Sequence, residues 1–89
     1  MFKYFKIKKQ AKQLDVQLAN KKVDIQIDNF WRIYHAGKHT EAMRMRKKII
    51  QEIHSAINKT DDAIIGDWKK ILNHSKILRK HFKEFQQNI

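Results

Sequence analysis

Between Asp61 and Ile89, apolar residues recur at Ile64, Trp68, Ile71, Leu72, Leu78, Phe82, Phe85 and Ile89. At about 100° per residue these positions gather on one side of a helix. Lys69, Asn73, Lys76, Lys80 and Gln87 fall on the other side. Thr60, Asp61 and Asp62 stand where a cap and early acidic residues belong, and cations crowd the later turns. The pattern predicts a helix over roughly 61–87, with Gly66 near its start.

The middle of the chain repeats the rhythm. Ala42, Met45, Ile49, Ile50, Ile53, Ala56 and Ile57 form one face, and Arg44, Lys47, Lys48 and Gln51 the opposite one. Thr40 is a natural cap and Glu41 a natural first-turn acid, so a helix is expected over 41–57. Arg46 falls within the apolar sector. Its stem is expected to pack while its head reaches the edge. The alternative is a buried ion pair with Asp28 or Asp67.

From 2 to 35 the pattern is double. Val16, Val23, Ile27, Phe30 and Tyr34 make one helical stripe, and Ile7, Ala11, Leu14, Leu18 and Ile25 a second on nearly the opposite face. A helix apolar on two sides needs covering on two sides. Either it runs through the middle of its own bundle, or a partner or second copy covers the spare stripe. Val23 to Ile27 alternates like a strand, but no other segment alternates to pair with it, and a lone strand is not stable. Helix is expected here, either one continuous helix or two collinear ones with a break near 20–22. Gly37 follows His35 and Ala36, where a left-handed residue closes a helix.

The expected fold is therefore all-α: one domain over 1–89, a small bundle of three helices at 2–35, 41–57 and 61–87, or four if the first breaks. The absence of proline and the presence of only two glycines agree with this. There is no cysteine, which removes disulfides, thiolate metal sites and cysteine nucleophiles together.

Charge changes the picture most. Twenty Lys and Arg against nine Asp and Glu give a formal charge of +11 and a pI near 10.1. Such an excess attracts nucleic-acid phosphate, anionic lipid or an acidic protein face. The cations fall in three groups: Lys3, Lys6, Lys8, Lys9 and Lys12 at the start; Arg44, Lys47 and Lys48 in the middle; Lys69, Lys76, Lys80 and Lys83 near the end. Solubility alone would be served by mixed signs. Lysine outnumbers arginine, and lysine suits phosphate contact better than bidentate base reading.

Candidate chemistry is sparse. The carboxylates are scattered, and no phosphate loop, nucleophile elbow or metalloprotease motif is present. His35 and His39 are four apart but straddle Gly37, and His74 and His81 are a heptad apart, so no metal site is expected from histidine alone. The span from Gln51 to Lys69 outlines a helix-turn-helix, but His54 stands where a small residue is needed and Asp67 where an apolar one is. No stretch approaches the ~20 apolar residues of a membrane span, no secretory segment is evident, and the N-terminal stretch with Phe2, Phe5 and Ile7 is poorly amphipathic. An intracellular location is expected, without membrane contact.

Two functions remain. The first expectation is a non-enzymatic interaction protein, an accessory subunit or inhibitor, with no cofactor and no small-molecule substrate. It would dock on an acidic protein surface, or on a second copy, through Ile7, Leu14, Leu18 and Ile25. The alternative is nonspecific nucleic-acid binding, with Arg44, Lys47, Lys48, Lys69, Lys76, Lys80 and Lys83 on the phosphate backbone of DNA or RNA, as in a ribonucleoprotein component.

Overall fold

The computed structural model describes residues 2–60 and 68–86. Among them are five helices: α1 (Phe2–Asn20), α2 (Val23–His35), α3 (His39–Asn58), α4 (Trp68–His74) and α5 (Lys76–Gln86), with no strand. The fold is all-α. The alternating stretch from Val23 to Ile27 is the first turn of α2.

Of the two alternatives for the first segment, the structure has the broken one: the break falls at Lys22, whose φ of 55° and ψ of 39° are left-handed. Lys22 N–H turns back to Ala19 C=O at 3.0 Å, while its own carbonyl accepts Gln26 N–H at 3.0 Å and opens α2. The Gln26 side chain donates to Lys21 C=O at 2.5 Å, which satisfies one carbonyl freed by the break. Lysine has no special tolerance for this conformation, which costs a residue with a Cβ about 1–2 kcal/mol.

This break corrects the two-stripe reading. Helical counting through 22 places Val16 with Val23 and Ile25 with Leu18, but the left-handed residue resets the phase. α1 buries Ile7, Ala11, Leu14 and Leu18, and α2 buries Val23, Ile27 and Phe30, all in one core. The two residues left over by the old phase, Val16 and Ile25, are 55% and 56% exposed.

Gly37, with φ of +84°, closes α2 as expected. Gly37 N–H bonds Tyr34 C=O at 3.1 Å and Lys38 N–H bonds Ile33 C=O at 3.3 Å, the paired bonds of a Schellman motif. The chain then reverses, and α3 runs back along α2 to reach α1. α3 begins two residues before the expected start. Its cap position is Lys38, with no side-chain hydrogen bond, and Thr40 lies exposed within the first turn. Its inner face is as predicted: Ala42, Ile49, Ile53 and Ala56 are buried, and Met45, Ile50 and Ile57 pack at the edge. At the C-terminal end of this helix the Thr60 hydroxyl donates to Ile57 C=O at 2.8 Å.

The last segment differs from the single helix expected. It divides at Ser75 into α4, which lies on α1, and α5, which packs on both α1 and α2. Ile71, Leu78 and Phe85 enter the core, where Phe85 meets Phe30 edge to face at 5.9 Å. Asp61, Asp62, Ile64, Gly66, Asp67, Gln87 and Ile89, and the side chains of Trp68 and Phe82, for which the pattern also sets expectations, lie outside the described residues. The described chain is an elongated bundle of 46 × 21 × 19 Å with α1 and α2 as its spine. Among the described residues no helix is long and apolar enough to cross a membrane.

Candidate interaction surfaces and an acid–imidazole cluster

The stripe expected to meet a partner is not a surface. Ile7, Leu14 and Leu18 are buried beneath the chain's own helices, because α3, α4 and α5 together cover α1. Only Ile25 of that set is exposed, and it points away from the core that holds the other three.

The cationic positions are where periodicity placed them. Arg44, Lys47 and Lys48 are exposed along α3; Lys69 is exposed on α4; Lys76, Lys80 and Lys83 are exposed at successive turns of α5. The division at Ser75 separates Lys69 from the α5 ridge. Lys80 is also engaged within the chain: its ammonium lies 3.4 Å from Asp24 Oδ1 and 4.0 Å from Asp28 Oδ2. It is therefore less available to an outside anion than Lys76 or Lys83.

On α3 a shallow groove of about 330 Å³ is lined by Met43, Arg46, Lys47, Ile50 and Gln51. These positions follow the spacing of one helical face, so the groove combines two apolar side chains with a basic edge. Arg46 has its Nε buried without a hydrogen-bond partner among the described residues. It is half-buried, with Nη1 3.9 Å from the Met43 sulfur, while Asp28, one of its two suggested partners, faces Lys80.

The acids follow a different rule. Asp15 on α1 accepts the Ser75 hydroxyl at 2.5 Å, Lys76 N–H at 2.9 Å and Ile77 N–H at 3.2 Å. The Ser75 hydroxyl oxygen in turn accepts Leu78 N–H at 3.2 Å. Three N–H groups at the start of α5 are thus held by side chains, one of them from a distant helix. Asp24 pairs with His81 as well as Lys80. The hydrogen bond from His81 is the main reason its carboxyl is held below the usual range; burial opposes this, and Lys80 adds to it.

Among the described residues, neither histidine pair weighed from spacing falls together in a group of three ligating side chains. His35 stacks on Trp31 with centroids 5.9 Å apart, and His39 meets Tyr34 edge on at 4.9 Å. His81 instead joins Asp24 and Asp28, with ligand-type atoms of all three within 4.8 Å of one another. Sequence reasoning missed this grouping by searching for histidine partners among histidines. The Asp24, Asp28 spacing of one helical turn was a visible signal; the approach of α5 to α2 was not. No family model, no curated protein and no solved structure matches this chain.

Proposed function

We propose that this chain is a non-enzymatic docking protein, a small accessory subunit or inhibitor, that seats α3 against an acidic protein face. The observation that carries this reading is the α3 groove, where Met43 and Ile50 supply apolar contact beside Arg46 and Lys47. Arg44 and Lys48 extend the basic edge along the same helix. An acidic helix or loop with apolar anchors complements that arrangement in both charge and shape. The docking stripe is thus relocated from α1, whose apolar side chains complete the core, to α3.

A second reading, phosphate-backbone contact with nucleic acid, is favoured by one separate feature. Arg44, Lys47 and Lys48 on α3 and Lys76 and Lys83 on α5 are exposed on a chain of net charge +11, an arrangement suited to phosphate-backbone contact.

The two readings part in one experiment: affinity capture from source-cell lysate at moderate salt, with and without nuclease, using the native chain, Met43→Asp and Lys47→Glu. The docking reading expects a protein that survives nuclease and is lost with both variants while their helical circular dichroism is unchanged. Capture abolished by nuclease, capture indifferent to both variants, or no capture at all would overturn it.

A further inference from the structure

Asp24 and Asp28 stand one turn apart on α2, and His81 reaches them from α5. We propose that these three side chains form a binding site for a divalent metal ion of the zinc class, clamping α5 to α2.

Three features separate the cluster from an ordinary acidic patch. His81 is only 6% exposed, and its Nε2 is turned onto the Asp24 carboxylate. A metal ion entering the space the two carboxylates share would take Nε2 as a ligand in place of its proton, which leaves to solvent. Next, the ligand-type atoms already lie within 4.8 Å of one another, so small side-chain shifts would bring them to a common ion. Last, the set is mixed: one nitrogen and two carboxylate oxygens suit zinc and its neighbours, whereas calcium and magnesium favour oxygen alone. Three protein ligands leave a coordination position for water.

Lys80 is the natural competitor. Its ammonium bridges Asp24 and Asp28 at 3.4 and 4.0 Å, yet the side chain is 59% exposed on a flexible stem. A dication gains attraction from both carboxylates and the imidazole together, and Lys80 can swing into solvent when displaced. The single charge of Lys80 thus holds the two carboxylates together in the metal-free chain. Metal binding would exchange a loose surface contact for a bond between two helices, and so stabilise an 89-residue bundle directly.

The test is isothermal titration of the full chain with zinc chloride at neutral pH, together with thermal unfolding in zinc, calcium and magnesium. One zinc per chain is expected, with a rise in melting temperature that calcium and magnesium do not reproduce. Asp28→Asn, at a side chain 56% exposed and so tolerant of change, should weaken zinc by at least about tenfold, the loss seen even for outer-shell partners. His81→Gln should do the same, and Lys80→Met should tighten binding. Absence of zinc binding at millimolar concentration overturns the proposal. So does zinc binding unchanged by Asp28→Asn, which would locate the ion at other histidines.

Discussion

The Asp15 carboxylate on α1 accepts the Ser75 hydroxyl at 2.5 Å, joining residues 60 positions apart in the chain. The contact does more than tether two helices. At Ser75 the backbone stops continuing α4, and the N–H groups of Lys76, Ile77 and Leu78 bond to Asp15 and Ser75 side chains in place of carbonyls one turn back. A bend placed there lets α4 follow α1 while α5 crosses onto α2. The orientation of α5, and with it the position of His81, depends on this cap.

Removing the cap should therefore destabilise the fold. Ser75→Ala is expected to cost about 1 kcal/mol, the usual value of a cap. Asp15→Ala removes the partner of two N–H groups and should cost about 1–3 kcal/mol. Because the two residues bond each other, the double variant should cost less than the sum. Urea midpoints of the four proteins measure this; strict additivity would mean the two act separately.

The two left-handed positions invite opposite substitutions. Lys22 carries a Cβ in a conformation suited to glycine, so Lys22→Gly should raise stability, by at most about 1 kcal/mol after the added chain entropy of glycine. Gly37→Ala has open space for its Cβ, and only the backbone resists it; a loss of about 1–2 kcal/mol is expected. Thermal unfolding monitored by circular dichroism compares both with the native chain. A stabilising Gly37→Ala would contradict the Schellman geometry at that turn.

These two positions also show how far the amino-acid pattern carries. Gly37 is legible because a positive φ selects glycine in a way that a neighbour count reveals. The break near 20–22 is legible as a weakness in the pattern, but not its consequence, since nothing local announces that Lys22 turns left-handed and shifts the phase of every later residue. A count that runs straight through it puts Val16 and Ile25 on apolar stripes, whereas both are exposed. Ser75 is a good cap by type, yet the aspartate that makes it a helix start is on another helix. The α3 ridge of Arg44, Lys47 and Lys48 depends on a single uninterrupted helix and was read correctly. The Asp24, Asp28, His81 grouping depends on two helices meeting, and was not.

If the α1 stripe is core, charges placed in it should unfold the chain. Leu14→Asp and Leu18→Asp bury a carboxylate at fully enclosed positions and should abolish cooperative folding. Leu18→Ala is a milder version, expected to cost about 2–5 kcal/mol through lost contacts and the space left behind. Val16→Asp, two residues from each and at an exposed position, should change stability by less than about 0.5 kcal/mol. Circular dichroism and urea titration separate these outcomes. A helical, cooperatively folding Leu14→Asp would restore the stripe as a free surface.

The Asp24 contacts set a dependence on acidity whose direction follows from linkage. Its carboxyl is held below the usual range chiefly by the His81 hydrogen bond, with Lys80 adding to the effect and burial opposing it. A carboxyl whose folded value is depressed binds its proton less readily in the folded chain than in the unfolded one. Its contribution is complete above the unfolded value, near pH 4, and is lost as pH falls through the lowered folded value. Because the Asp24 side chain is 40% exposed, solvent weakens the effect, and a modest contribution is expected. Asp24→Asn should accordingly be less stable than the native chain at pH 6, with the gap closing toward pH 3. Urea midpoints of both proteins across that range test the point. A gap that stayed constant into acid would mean that Asp24 acts through shape or neutral hydrogen bonding and that its charge does not hold α5 to α2.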